Sequence, residues 1–403
     1  MRTGNGKRET KKLQIRLTPR FTGQAKATSS RCGWLLEDIQ TKMKIVYGIQ
    51  GYGRGHVSRA LAIIPHLIQQ GHKVRIFAGG AAYEFLKNSF DATKIPFLSN
   101  HYHPGDGQPS FWLTARNLLP HISQLFWGAA LGIKTGSLRR VYDDMKNFDP
   151  DIVVTDFENW TRVAGNRLGI PVISLDHASI IAYCDVDVPP GKFFARALTR
   201  YSYKLLVLLS GGVDKIIASS FYYAKPKNKK VEVVGPIIRK EVKAAKSTNG
   251  GHFLVYLNHP NAFTPKLESC LNRLEIPAII YGVQDKRVNY GNIKFKSLDP
   301  KIFVNDLASC RAIVTRAGNQ LFGETTHLGK PVACFPEATF EQRMNAHYVN
   351  KMGFGLVGEL DKIDDGFFSE FLKKEDRLRK AAAEISYKDS TVRILEIINS
   401  FDN

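Results

Sequence analysis

The stretch Lys44-Ile45-Val46-Tyr47-Gly48-Ile49-Gln50-Gly51-Tyr52-Gly53-Arg54-Gly55-His56-Val57-Ser58-Arg59 runs from a short apolar segment through a glycine-rich loop into a helical pattern. Ile45–Ile49 is predicted as a strand, and a helix is predicted near Ser58–Gln70, closed by Gly71. Glycines at Gly51, Gly53 and Gly55 let a ligand approach the backbone and leave amide donors free at a helix N-terminus. A dinucleotide fingerprint fails here on two counts. His56 occupies the place of the third glycine, and the second strand, Lys73–Ala78, runs into Gly79-Gly80 with no acid to hold a ribose. The loop offers His56 instead, a side chain that titrates near neutrality and can take a proton from a hydroxyl. Asp156, at the end of the apolar strand Ile152–Thr155, is the first candidate to orient it, with Asp176 and His177 after Val172–Leu175 as second choices. The plainer alternative for His56 is a helix-capping or structural histidine.

Working outward, strand and helix alternate from residue 43, which implies a parallel sheet with crossover helices. The alternation restarts near residue 252. Strands are predicted at His252–Leu257, Pro277–Tyr281, Ala312–Thr315 and Pro331–Phe335, with helices near Lys266–Leu274, Asn319–His327 and Glu341–Met352 between them. Arg239–Gly251, rich in Lys, Ser, Asn and Gly, reads as a linker. The expected organisation is a basic disordered or misassigned extension over 1–42 and a Rossmann-like domain over 43–238. The linker 239–251 follows, then a second Rossmann-like domain over 252–403 that ends in a charged helix near Leu378–Phe401. Ligands of such sheets bind beyond the carboxyl ends of the strands.

Composition narrows the function classes. The 403 residues are 43% hydrophobic and 23% charged, enough for two cores and unlike a disordered or collagenous chain. Five widely spaced cysteines with no CxxC pair favour a reduced compartment over a disulfide framework or a zinc site. No apolar run reaches the length of a membrane span. The net charge is +20, of which +7 falls in residues 1–42, and such a surface attracts polyanions. The basic leader lacks a secretory core; its Ser/Thr content admits a transit peptide, while Met43 before the first strand reads as a natural start. Residues 107–142 and 191–213 hold no acid and combine basic with large apolar residues. The second places Lys192, Arg196, Arg200 and Lys204 four apart. Interfacial membrane helices look like this, and so do amphipathic helices packed on a core.

The richest region is Phe303–Gly355. Strand Ala312–Thr315 runs into Arg316-Ala317-Gly318-Asn319-Gln320, a turn that opens a helix whose N-terminal amides can hold a diphosphate. Arg316 adds a full positive charge. Glu324 lies on that helix, placed to accept from ribose hydroxyls, and Glu341 and Gln342 follow the next strand, placed to meet sugar hydroxyls. Taken singly, Glu324 reads as a surface acid and Glu341-Gln342 as a helix start; their order and spacing together fit a nucleotide-sugar.

In these motifs the chain resembles the inverting glycosyltransferases of the GT-B fold. That group includes the bacterial N-acetylglucosaminyltransferase that completes the lipid-linked peptidoglycan precursor, and plant and macrolide UDP-sugar transferases. An FxxDMA segment, an RSG turn, a helical Glu and a Gln-x-x-Asn-Ala are matched by Phe303-Val304-Asn305-Asp306-Leu307-Ala308, Arg316-Ala317-Gly318, Glu324 and Gln342-Arg343-Met344-Asn345-Ala346. Arg316 takes the histidine position of the plant signature, Gly318 and Glu324 keep its spacing, and Glu341-Gln342 matches its acid–Gln pair. Asn319-Gln320 departs from the Trp-Asn or Ala-Leu of the family. The loop bearing His56 also matches homologues with a GxGxGHxxR pattern.

The resemblance implies an α/β chain of GT-B fold, two Rossmann-like domains facing a central cleft. It implies a hexosyl transfer with inversion from a nucleotide-diphosphate sugar, UDP-sugar first, to an acceptor hydroxyl on a glycan or lipid. His56 would be the base and Asp156 its orienter. Phe303, Arg316, Gly318, Asn319, Gln320, Glu324, Glu341 and Gln342 would hold the donor. No cofactor or metal is expected, nor is nucleic acid a partner. The expected place is the cytoplasm, peripheral to an anionic membrane surface through 107–142 and 191–213 and serving the cell envelope. A nucleotide-sugar 2-epimerase of the same fold and a non-catalytic polyanion binder are the alternatives.

Overall fold

The computed structural model describes residues 42–51, 54–96, 116, 127, 136–209, 211–257, 260–283, 289–387 and 389–402. Gly53, almost all of the expected extension 1–42, and the greater part of 107–142 lie outside the described residues.

The first half begins with β1 (Lys44–Ile49), α1 (Arg54–Gln69), β2 (Lys73–Ala78), α2 (Gly80–Leu86) and β3 (Ala92–Lys94). Next come α3 (Gly136–Phe148), β4 (Ile152–Asp156), α4 (Trp160–Leu168), β5 (Val172–Asp176), α5 (Ala178–Tyr183) and β6 (Cys184–Asp185). It closes with α6 (Phe193–Leu209), β7 (Lys215–Ser219), β8 (Lys225–Pro226) and β9 (Val231–Val234). Seven of these strands form a sheet in the order β3-β2-β1-β4-β5-β7-β9, and every pairing is parallel. β4 and β5 read Ile-Val-Val-Thr-Asp and Val-Ile-Ser-Leu-Asp and are buried throughout, as central parallel strands covered on both faces must be.

The second half holds α7 (Lys240–Ala244), β10 (Phe253–Tyr256), α8 (Pro265–Arg273), β11 (Ala278–Tyr281), β12 (Asn289–Tyr290), β13 (Ile293–Phe295) and α9 (Pro300–Ser309). It continues through β14 (Ala312–Thr315), α10 (Asn319–His327), β15 (Val332–Cys334), α11 (Phe340–Lys351), β16 (Gly355–Val357), α12 (Asp365–Glu384) and α13 (Thr391–Asn399). Its sheet runs β12-β13-β11-β10-β14-β15-β16, parallel except for the β12–β13 edge. Both sheets reverse strand order beside their first strand, between β1 and β4 and between β10 and β14. Those reversals are where a parallel sheet opens a crevice at its carboxyl ends.

Local chemistry explains where the helices start. Thr264, Asp299, Thr339 and Asp364 cap α8, α9, α11 and α12 by accepting from first-turn amides, and Pro265 and Pro300 add a preset φ. α10 differs: Gly318 precedes it and no side chain caps its amides.

Two expectations are corrected. The charged stretch Leu378–Phe401 is two helices, not one. Between them Ser390 Oγ accepts from Gly235 N at 2.8 Å and Asp389 Oδ1 from Ile238 N at 2.9 Å. The segment thus serves the backbone that follows β9 instead of continuing a helix. The last helix also leaves the second half. Ile394, Leu395, Ile397 and Ile398 of α13 join the core under the first sheet. His72 Nε2 lies 3.0 Å from Asn399 Oδ1. Residues expected in the second domain therefore stabilise the first. The expected linker 239–251 contains α7, anchored by buried Val242.

Candidate active site

Parallel pairing sets Ile49 opposite Asp156, and Gln50 N bonds to Asp156 O at 3.1 Å. The glycine loop therefore leaves the sheet beside that carboxylate. α1 starts at Arg54, not Ser58, so His56 lies in its first turn. His56 Nδ1 sits 2.8 Å from Asp156 Oδ1, and the Asp156 side chain is wholly buried. Arg59, three residues on and so on the same helix face, donates Nε to Oδ2 at 2.9 Å and Nη2 to Oδ1 at 2.7 Å. Burial pushes the Asp156 carboxyl up, but Arg59 and His56 outweigh it and hold the group below its ordinary 3.8. Phe157, next in the chain, has φ +56°, a left-handed conformation that a bulky residue adopts only where its surroundings impose it. Its ring lies between His56 (centroids 6.5 Å) and Tyr203 (5.5 Å).

The second choices have other work. Asp176 accepts from Ser174 Oγ, Ser179 N, Ser179 Oγ and Tyr203 Oη. His177 faces Ser219 O at 3.1 Å and Asn345 Oδ1 at 2.9 Å. Both are structural, and Asp156 alone of the three acts on His56.

Across the cleft, β14 delivers Arg316 to the start of α10. Arg316 is 8% exposed. Its Nη1 donates to Phe335 O at 3.2 Å and its Nε is buried without a partner. No carboxylate lies within ion-pair distance among the described residues. Burial lowers its pKa, and Glu337 and Asp361 offset only part of that. Arg59 and Arg239, which have carboxylate partners, shift the other way. A Cβ built on Gly318 would meet nothing within 4 Å, so open space lies before the uncapped end of α10. The same construction on Gly55 finds Gln320 Cβ at 3.7 Å, so the first turns of α1 and α10 face each other. The two constellations thus stand near each other, and the first amides of α10 are uncapped beside a guanidinium with no carboxylate partner among the described residues.

The remaining expected residues divide. Gln342 Oε1 accepts from Ala317 N at 3.3 Å and Glu337 N at 2.9 Å, which pins the turn after β14. Glu341 is exposed in the first turn of α11. Asn319 spans the halves, its Oδ1 accepting from Phe221 N and its Nδ2 donating to Ser219 O. Gln320 Nε2 donates to Ile237 O at 2.6 Å. The side chains of Asn319 and Gln320 are thus engaged in bonds to the first half, while no side chain caps the backbone amides at this end of α10. Glu324 is 2% exposed and paired through both oxygens with Arg239, each contact 2.7 Å. Phe303 is buried and packs against Tyr256 and Tyr281. Gly51 is buried at the end of β1, beside Phe157 and Glu158.

Arg59 and Arg239 were missed by the sequence reading. The three-residue spacing from His56 was the available signal for Arg59; for Arg239, inside an apparent linker, there was none. Among the described residues, no group of three His, Cys, Asp or Glu side chains could hold a metal ion, and no helix is long and apolar enough to cross a membrane.

Comparison with known proteins bears on the fold and the family. An uncharacterised glycosyltransferase of Methanosarcina acetivorans is 25% identical over 401 residues, covering 88% of this chain and 98% of the relative. Two solved structures share the fold at lower identity. The calicheamicin glycosyltransferase CalG4 has a TM-score of 0.61 at 16% identity, covering 89% of this chain and 98% of that one. UGT2 of Phytolacca americana, complexed with UDP-2-fluoro-glucose and pterostilbene, has a TM-score of 0.59 at 14% identity, with the same coverage. The epimerase alternative gains no support from these proteins. Residues 43–375 match the family described as glycosyl transferase family 1, and the chain belongs to that family: it is a glycosyltransferase of GT-B fold.

Proposed function

We propose that this glycosyltransferase moves a hexosyl group from a nucleotide-diphosphate sugar, UDP-sugar first, to an acceptor hydroxyl with inversion at the anomeric carbon. The observation that carries the reading is Arg316, a buried guanidinium without an anion at the open end of α10, across the cleft from a histidine already paired with a carboxylate. A bound diphosphate would supply the charge that Arg316 lacks. The UDP-sugar in the Phytolacca structure supports the choice of donor.

His56 carries its Nδ1 proton toward Asp156, which leaves Nε2 to accept the proton of the acceptor hydroxyl. As the new C1–O bond forms, the bond from C1 to the diphosphate breaks. The leaving charge develops against Arg316 and the first amides of α10, which are fixed before the reaction starts. The Glu324–Arg239 pair is proposed to meet the ribose, and Glu341 with Gln342 the sugar hydroxyls. Arg316 and the helix end supply the positive charge for the leaving group, so transfer is read as metal-independent.

The test is transfer from labelled UDP-, dTDP- and GDP-sugars into cell-extract acceptors, with product anomers assigned by NMR. The wild type should transfer from one donor class with inversion, and chelation should leave the rate unchanged. His56→Ala should lose about 10²–10⁴-fold in rate while still binding donor. Retention of anomeric configuration, or full activity of His56→Ala, would contradict the mechanism.

A further inference from the structure

α6 shows its apolar side to solvent. Tyr203 and Val207 are buried against the body, Arg200 Nε donates to Ala182 O at 2.9 Å, and Arg196 lies 3.6 Å from Asp185. Outward stand Phe194, Leu198, Tyr201, Leu205 and Leu208, each between 54% and 81% exposed. Their spacing of four, three, four and three residues puts them in one stripe about 80° wide at ~100° per residue. Phe193, also exposed, stands beside the stripe at the helix start.

Cations border the stripe. Lys192 precedes α6 and Lys204 lies on it, while Lys225 and Lys227 stand on and beside the neighbouring β8. The Lys204 amine is pushed below its ordinary value by burial, then by the charges of Arg200 and Lys227, so positive charge is crowded along this edge. α6 contains no acid. Asp185 is already engaged by Lys227 at 2.7 Å and Arg196.

We propose that α6 lies in the headgroup–acyl boundary of an anionic lipid bilayer, its outward stripe immersed and its cationic border against lipid phosphates. An apolar stripe with a basic margin is the pattern of interfacial helices. Two-fold pairing of this face with a second copy would set like-charged margins side by side, which disfavours that occupant. The arrangement also reaches the site. Tyr203, on the inward face of α6, stacks on Phe157, which stacks on His56, so two rings separate the lipid-facing helix from the base. On the transferase reading above, and resting on it, the acceptor hydroxyl is carried by a lipid.

Flotation of the full chain tests the docking without any assay of transfer. The vesicles are phosphatidylcholine alone, or phosphatidylcholine with phosphatidylglycerol in equal parts. Wild type should float with the anionic vesicles, less with the neutral ones, and less again in about 0.5 M salt. Leu198→Glu with Leu205→Glu changes two exposed side chains; it should keep the wild-type melting temperature and lose at least about tenfold in recovery. Equal wild-type recovery with and without vesicles, equal recovery on neutral and anionic vesicles, or unchanged flotation of the double variant would overturn the proposal. So would a wild-type dimer, seen by sedimentation, that the double variant dissociates while neither floats. Stabilisation by nucleotide in the same samples reports the donor site separately, so failure of docking and failure of the transferase reading are distinguishable.

Discussion

Arg59 Nη2 lies 2.7 Å from Asp156 Oδ1 and 2.8 Å from His56 Nδ1, which is itself 2.8 Å from the same oxygen, so the three side chains form one cluster. The guanidinium keeps the buried Asp156 ionised and fixes its plane, and His56 takes its orientation from both. Arg59→Leu would leave that carboxylate buried and unpaired, and should cost about 3–5 kcal/mol in urea unfolding. Arg59→Leu with Asp156→Leu should recover most of the loss yet remain inactive, which separates the pair's part in stability from its part in the reaction. The sign of the pH effect follows from the depressed carboxyl. Its stabilisation is complete above the ordinary 3.8 and is lost as pH falls through the lower folded value, so Asp156→Asn should flatten the acid limb of a stability–pH profile. His56 and Asp156 stood out in the sequence because the loop after β1 and the end of β4 both lie at the carboxyl edge of a parallel sheet, where such sheets bind ligands. Glu324, Asn319 and Gln320 were legible as positions near the site but not as contacts. Whether a polar side chain faces a ligand or a neighbouring strand depends on packing between the halves, which no local pattern records.

At the scale of elements, Gly48 shows how closely the site is built. A Cβ there would lie 2.2 Å from Thr161 Oγ1 and 2.8 Å from Glu158 Oε2, so β1 and the start of α4 meet only because this residue has no side chain. Gly48→Ala should destabilise the protein by about 1–3 kcal/mol in thermal or urea unfolding, with partial recovery in Gly48→Ala with Thr161→Ala. Strands such as β2 and β14 were predicted at their observed bounds because buried parallel strands read as continuous apolar runs. The start of α1 was placed four residues late. Gly53 and Gly55 read as loop, whereas Gly55 is helical and faces α10. The destination of α13 was not legible. Its apolar face is plain in Ile394, Leu395, Ile397 and Ile398, but the pattern does not say which of two similar cores it covers.

At the scale of the whole molecule, the two sheets share an architecture, one bearing the His56–Asp156 pair and the other the unpaired Arg316. Four of the five cysteines, Cys184, Cys270, Cys310 and Cys334, are free and buried, and burial pushes the Cys184 and Cys310 thiols up to about 12. A thiol reagent should therefore modify at most one cysteine in the native protein and all five after unfolding; fast labelling of more than one native thiol would contradict the packing. The net charge of +20 pointed to an anionic partner without saying which. The fold turns that into separate places, Arg316 in the cleft and the margin of α6 outside it. Arg316 carries the central claim, and the direct measurement is thermal unfolding of wild type, His56→Ala and Arg316→Leu, each with and without UDP, dTDP and GDP. One nucleotide should stabilise wild type and His56→Ala alike, by about 2.7 kcal/mol at a hundredfold excess over its Kd. Arg316→Leu should be as stable as the ligand-free wild type or more so, because a buried unpaired charge has gone, and should gain nothing from nucleotide. Equal nucleotide stabilisation of wild type and Arg316→Leu, or none in wild type, would contradict the central claim.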